Sequence, residues 1–400
     1  MRRFALAFLV LSPLARLQEP LALMGATVHA GDGSPAIADA VVVVRDGRIA
    51  AVGPAATTAV PEGVRRVDLK GSHLAPGLID THVHYSQTGW ADGRPDATDV
   101  RKEHPYEQAM ADNRAHPDRF HLAFLHAGVT AVFDVGGYPW TLGLGKATAN
   151  DPKAPHVVAT GPLLATFDPK LSLPDAQQFA FPQTPDEGRA MVKAHHAAGS
   201  AAIKFWYVTR AAGDVAKWSP VLRAIGDECK QVGLRLVVHA TTLASAKDAV
   251  AAGASLLVHS VEDTAVDDEF VAACKQQGTF YCPTLTVRAG YRMLYSAKVA
   301  DAVKAQLDAV HPTVKERVLR TEQLTPRNER VLAGMDQRLR LQGDTMAANV
   351  RTLLAAGVPI VLGTDAGNPL TLHGPSVYVE LEAMAAAGMT PAQVLIAATG

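Results

Sequence analysis

From residue 76 onward, short apolar runs recur along the chain at intervals that helix-like stretches fill. The runs are residues 78–84 (LIDTHVH), 130–135 (TAVFDV), 156–160 (HVVAT), 201–208 (AAIKFWYV), 234–240 (LRLVVHA), 255–260 (SLLVHS), 279–285 (TFYCPTL) and 359–365 (PIVLGTD). Their length suits a buried strand better than a helix. Between several of them lie Ala-rich amphipathic segments that end in glycine just ahead of the next run: AFLHAG, KAHHAAG, CKQVG, AVAAG and LLAAG. Helix, glycine cap, strand is the form an αβ connection takes. Eight such units in series predict an α/β fold, a (β/α)8 TIM barrel rather than an open doubly wound sheet. The interval before the last run is unusually long. Its mostly helical pattern over about 298–357 predicts an insertion over the barrel mouth or on its outer ring.

The texture ahead of the barrel is different. Residues 21–75 read as short strands, and AVVVVRDGRIAAVG carries the clearest local signal: two β-rich runs flanking Asp46-Gly47, a pair suited to a type I′ hairpin. Further strands are expected at 21–29 and 64–69. The first twenty residues have a basic start (Arg2, Arg3), an apolar stretch from Phe4 to Leu11 and small or turn residues after it. That is the layout of a secretory signal peptide, too short to span a bilayer. The expected organisation is therefore a signal peptide over 1–20, a small β domain over 21–75 and a barrel over 76–400. The product is expected to be exported, to the periplasm or the medium.

Composition narrows the classes. With 48% hydrophobic and 19% charged residues the chain has ample apolar material for a core, and its net charge of −1 comes without a long run of either sign. Nothing electrostatic points to nucleic acid, or to a membrane partner once the signal is removed. The expected partner is a small-molecule substrate, with a homo-oligomer left open. The three cysteines, Cys229, Cys274 and Cys282, form neither a CxxC motif nor a disulfide framework and read as buried small residues.

The chemistry is concentrated at the ends of the apolar runs, where barrels of this kind build their sites. The first run ends in His82-Val83-His84, whose alternation puts both imidazoles on one face of a strand. The fourth carries Lys204, an ammonium expensive to bury unless neutralised or paired. The fifth ends at His239, the sixth at His259 and the eighth at Asp365. Each alone reads as a core or capping residue. Six potential ligands from five strand ends on one rim point to a metal centre.

This ordered set resembles the amidohydrolase superfamily, and more narrowly its binuclear members with a carboxylated lysine. The leading β unit is similar to that superfamily's small sandwich, and GTDAGNPLTLHGPSVYVELEAMAAAGMTPAQVLIAATG resembles the imidazolonepropionase-like and prolidase-like branch. The resemblance implies two divalent metal ions. His82 and His84 would hold the more buried one with Asp365, His239 and His259 the more exposed one, and a CO2-derived carbamate on Lys204 would bridge them. Zinc suits the mixed nitrogen and oxygen donors, and manganese, iron or cobalt would fit too. Two divalent ions against carbamate, Asp365 and a bridging hydroxide leave a net charge of +1 to polarise a carbonyl. Asp365 is then the catalytic proton carrier. Two departures matter. The superfamily's mononuclear deaminases carry a glutamate three residues after the fifth-strand histidine, where this chain has Thr242, which argues against base deamination. Chains of this kind also return to complete the sandwich, so with the sequence stopping at Gly400 the expectation is either a truncated sequence or an incomplete sandwich.

Substrate signals are thinner. Trp90, Trp140, Trp206, Tyr85, Tyr138, Tyr207, Tyr281 and Tyr291 fall at or near the strand ends, suggesting an aromatic-lined mouth. Arg210 and Arg288 follow the fourth and seventh runs and suit a substrate carboxylate. His373, eight residues past Asp365, is a candidate for supporting the site or touching substrate. The resulting expectation is an exported amidohydrolase cleaving an amide-type C–N bond in dipeptides or N-acyl amino acids. Cyclic amides, lactones and esters remain as alternatives on the same centre. A metal-free scaffold relative would have lost ligands, and all six are present.

Overall fold

The computed structural model describes residues 19–167, 178–211 and 213–400. The first segment read as a signal peptide, through residue 18, lies outside the described residues. The chain divides into two compact units at Pro76/Gly77.

The first unit is one sheet of β1 (Leu21–Val28), β2 (Ile37–Arg45), β3 (Arg48–Pro54), β4 (Arg65–Asp68) and β5 (His73–Leu74). Its order is β3-β2-β1-β4, with β5 also pairing β1. The two-residue turn Asp46-Gly47 joins β2 to β3, closing on the Arg45–Arg48 pair, and both turn residues have positive φ (53° and 71°). That is the conformation a type I′ hairpin demands.

The second unit is the (β/α)8 barrel. Its parallel strands are β6 (Leu78–Val83), β7 (Val129–Asp134), β8 (His156–Ala159), β9 (Leu163–Ala165), β11 (Ala202–Trp206), β12 (Arg235–His239), β13 (Leu256–Val258) and β14 (Phe280–Cys282), with the two-residue β10 (Phe179–Ala180) beside β9. The third barrel strand is split. β8 pairs back to β7 and β9 forward to β11, because Gly161 (φ 69°) and Pro162 interrupt the ladder between them. The eighth run forms no continuous strand. It is held by isolated bridges Tyr281–Ile360 and Val83–Ala366, by Val361 N–H donating to the Tyr281 carbonyl, and by Thr81 N–H donating to the Leu362 carbonyl. Asp365, at φ 63°, bends the backbone away from the β conformation just where a regular ladder would continue. The segment still closes the ring between β14 and β6. Left-handed glycine caps end helices at Gly233, which closes the expected CKQVG segment, and at Gly278.

Period-two alternation then sorts the strand residues. Ala202, Val237, Leu256, Val258 and Cys282 pack together inside the ring, while Ile203, Phe205, Leu236, Val238, Leu257 and Tyr281 join the larger core under the helices. Lys204 is two residues beyond Ala202, and His239 two beyond Val237, so both project inward toward the C-terminal rim. The three cysteines are free and buried. After β14 come helices Val287–Ser296, Asp301–Lys304, Pro312–Arg320 and the 27-residue Glu329–Ala355. This insertion is pinned to the loop that follows β6. Trp90 Nε1 donates to Thr321 Oγ1 at 3.0 Å, Arg317 Nε contacts Asp92 Oδ2 at 2.8 Å, and Arg327 Nη2 donates to the Ala97 carbonyl at 2.8 Å. It therefore lies at the mouth. Among the described residues no helix is long and apolar enough to cross a membrane.

Candidate metal centre

The barrel brings His82, His84, Lys204, His239, His259 and Asp365 to one place at the floor of a cavity of about 500 Å³, and all six line it. Adjacent imidazole centroids lie 5.3 Å apart for His82 and His84, 4.8 Å for His82 and His259, and 4.4 Å for His239 and His259. Asp365 stands among them. Its Oδ1 is 2.9 Å from His84 Nε2 and 3.3 Å from His82 Nε2, and its Oδ2 is 3.9 Å from His259 Nε2. His82, His259 and Asp365 each offer a donor atom within 4.8 Å of the others.

Several observations test whether these residues suit a metal. Tetrahedral ligands at about 2.0–2.1 Å from zinc sit roughly 3.3 Å from one another, which is the spacing His82 and Asp365 show. His84 Nδ1 is bonded to the Gly136 carbonyl at 2.7 Å and His259 Nδ1 to Thr284 Oγ1 at 2.7 Å. Each outer contact orients its ring and turns Nε2 inward, the arrangement typical of metal-bound histidine. The Lys204 Nζ is buried with no hydrogen-bond partner. Burial lowers its ammonium to about 7, against a smaller opposing pull from Asp365. Burial likewise holds His82, His239 and His259 well below the ordinary imidazole range, with Lys204 and neighbouring histidines adding to it. Four imidazoles, three of them held neutral by burial, an amine able to shed its proton and one carboxylate make a donor set that fits divalent metal.

The support beneath this set escapes sequence reading. Asp80, fully buried, accepts from His82 N–H (3.2 Å), Thr364 N–H (3.0 Å) and Thr364 Oγ1 (2.6 Å), and burial raises its carboxyl to about 7. Asp134 accepts from the Tyr85 and Gly136 N–H groups, both at 3.1 Å, and so fixes the loop whose carbonyl holds His84. Asp80 and Asp134 end in apolar contexts, and a carboxylate inside a buried strand was the available signal for both. Positive φ at His259 (74°), Thr284 (42°) and Asp365 (63°) has no such signal, since none is glycine.

The substrate-side expectations fare unevenly. Arg288 lines the cavity and pairs with Glu262. Trp206 and Tyr291 line it as well. Arg210 does not; it is exposed, with its guanidinium 4.3 Å from the Phe167 ring centre. Tyr281 faces the helices, and its hydroxyl accepts from Val261 N–H at 2.8 Å. His373 is buried, stacked on Phe120 at 3.9 Å, and its Nε2 donates to the His84 carbonyl at 3.0 Å. It props the loop behind His84 and is absent from the cavity lining. Tyr85, Tyr138, Tyr207 and Trp90 pack in the core. Sequence reading missed Arg94, Arg327 and Arg338, which also line the cavity.

The Amidohydrolase family model matches residues 73–399 of the chain. Among curated proteins, imidazolonepropionase of Stenotrophomonas maltophilia (strain R551-3) is 42% identical over 59 residues, 15% of this chain and 14% of that protein. Dihydroorotase of Ligilactobacillus salivarius (strain UCC118) is 39% identical over 49 residues, 12% of this chain and 11% of that protein. The chain thus aligns with only a small part of the length of these relatives. Solved structures match far more of it. A Xaa-Pro dipeptidase with bound methionine in its active site superposes with TM-score 0.67 at 20% identity, over 95% of this chain and 87% of the other. Ochratoxinase of A. niger also gives 0.67 at 20% identity, over 95% and 83%. At that identity the structural likeness speaks for the fold. The family match covers most of the chain: this protein belongs to the amidohydrolase family.

Proposed function

We propose that this protein is a metal-dependent hydrolase that cleaves an amide-type carbon–nitrogen bond in dipeptides or N-acyl amino acids. The observation that carries the reading is the buried, unpartnered Lys204 Nζ amid four imidazoles and Asp365, open to a cavity of substrate size. His82, His84 and Asp365 would hold one divalent ion and His239 and His259 a second, with Lys204, carboxylated by CO2 as a neutral amine, shared between them. Bound metal supplies acidification of a water and polarisation of the substrate carbonyl. Asp365 has the position to accept a proton on the cavity side and return it to the leaving nitrogen. The Gly136 carbonyl, accepting from His84 Nδ1, keeps that imidazole in the tautomer that leaves Nε2 free, and Thr284 orients the His259 ring. Zinc matches the donor types, and manganese, iron or cobalt are served by them as well. Export, on the basic and apolar N-terminus, is part of the same proposal.

The test is metal analysis of the purified protein joined to a hydrolysis panel of dipeptides and N-acyl amino acids with zinc or manganese added. Close to two ions per chain are expected, with most lost in Lys204→Ala. Full occupancy in that variant would overturn the bridging role. A filled site that cleaves no member of the panel would overturn the amide reading in favour of lactones or cyclic amides.

A further inference from the structure

The helix Glu329–Ala355 contributes Val331, Met335, Arg338, Leu339, Gln342 and Met346 to the cavity. Their intervals of four, three, one, three and four residues are one face of a helix. Four of the six are apolar: Val331 is 39% exposed, Met335 and Leu339 are half-buried and Met346 is buried at 5%, so the face offers the cavity a hydrophobic wall whose open part is its earlier turns. Trp206 and Tyr291 belong to the same lining.

The charges lining the cavity are unbalanced. Arg94 forks onto Asp96 through Nε (2.9 Å) and Nη2 (2.8 Å). Arg288 is paired with Glu262. Arg327 lies 3.9 Å over the Tyr295 ring and donates to a backbone carbonyl, meeting no carboxylate. Arg338 is exposed, and among the described residues it has no ion pair or hydrogen bond. On the acidic side, Glu262 is already neutralised by Arg288 and Asp365 is enclosed by histidines. Among the described residues, then, the cavity has a guanidinium without an anion, and apart from Asp365, assigned to the metal, no lining carboxylate is left to meet an ammonium.

We infer that the ligand is an N-acyl amino acid with an apolar acyl group, its carboxylate held by Arg338 and its acyl chain against the Met335–Leu339–Met346 face, and that the ammonium of a free dipeptide is disfavoured. For the bond cleaved, this rests on the hydrolase reading above; for binding it does not. Guanidinium meets carboxylate through two parallel hydrogen bonds, whereas an ammonium brought beside unpaired arginines loses water and gains repulsion. The insertion, outside the barrel's own repeat, is thereby the specificity element.

Three probes separate these contributions: N-hexanoylglycine, N-hexanoylglycinamide, which lacks the carboxylate, and L-norleucylglycine, which adds an α-ammonium to the same carbon skeleton. The full chain, stripped of metal with chelator, is titrated calorimetrically with each, and the zinc-loaded protein is assayed for release of glycine or glycinamide. N-Hexanoylglycine is expected to bind at least tenfold more tightly than either other probe, and Arg338→Gln to erase its advantage over the amide. Equal or tighter binding of norleucylglycine, an Arg338→Gln variant that keeps the preference for carboxylate, or no binding by any probe would overturn the inference. If the binding order holds but the zinc-loaded protein releases nothing, the hydrolase reading fails and the ligand assignment stands. Cleavage of norleucylglycine at least as efficient as that of N-hexanoylglycine does the reverse.

Discussion

Replacing Lys204 with methionine is expected to stabilise the metal-stripped protein while destroying its site. The Lys204 side chain is buried and its Nζ has no partner, so the charged form is penalised in the fold and not in the unfolded chain. Burial lowers the ammonium from 10.5 to about 7. The unfolded chain therefore takes up this proton first as pH falls, and stability declines from about pH 10.5 down to about 7, where the full penalty is reached. At about 1.4 kcal/mol per pH unit, that gap corresponds to about 5 kcal/mol below pH 7 and about 4 kcal/mol at pH 7 itself. Methionine keeps a stem of similar size and removes the titrating atom. Urea unfolding in carbonate-free buffer with chelator, at pH 7 and at pH 10.5, measures the difference directly. Lys204→Met is expected to exceed the native protein by several kcal/mol at pH 7 and by much less at pH 10.5. With excess zinc the order should reverse, because the native chain binds more metal than the variant and so gains more linkage stabilisation. A metal-stripped variant no more stable than the native protein at pH 7, or an advantage that does not shrink with rising pH, would refute the reasoning.

Asp365→Asn preserves the left-handed backbone at φ 63°, which asparagine tolerates, and should abolish turnover while most metal is kept; an active variant removes Asp365 as proton carrier. Thr284→Val deletes the 2.7 Å contact to His259 Nδ1 and is expected to weaken metal binding about 10- to 100-fold in a chelator competition, with little change in melting temperature. Gly363→Ala would put a Cβ 2.4 Å from Cys282 Sγ and 2.8 Å from His82 Cβ, so a lowered urea midpoint, about 1–3 kcal/mol of lost stability, should accompany reduced metal content. Equal metal content in that variant would show that the His82 backbone can yield without disturbing its imidazole.

How much of this was legible in the sequence depended on which physical rule placed each residue. His82 and His84 share a face because strand side chains alternate, and Lys204 and His239 point inward because Ala202 and Val237 below them do. Those relations are local, survive any detail of loop geometry and can be read from spacing alone. The order of strands then carries them to one rim. Arg210, Tyr281 and His373 sit close in sequence to strand ends as well, but their side chains are directed by loop paths and by burial: one stacks on Phe167, one turns toward the helices, one reaches back to the His84 carbonyl. Arg338 is the converse case. It is far from any strand end in sequence and reaches the cavity only because Trp90, Arg317 and Arg327 hold the insertion over the mouth.

The same division separates the two functions of the site. The candidate metal ligands sit on barrel strands or at the rim just beyond them, where backbone ladders and outer contacts such as Thr284 to His259 hold them within narrow limits, and strain is stored in three non-glycine residues at positive φ. The residues that would choose a ligand sit on a long helix whose later turns are buried in the core through Val350 and Leu353, with Met335 and Leu339 on its earlier turns supplying adaptable surface. Chemistry that tolerates little displacement is thus carried by the part of the fold with the most backbone bonding. On the proposed reading, recognition falls to side chains on the earlier turns of that helix, which can be exchanged without moving His82 or Lys204. On that reading acyl preference would change through the cavity-facing positions between 331 and 342, and substitutions there should alter binding while leaving metal content intact.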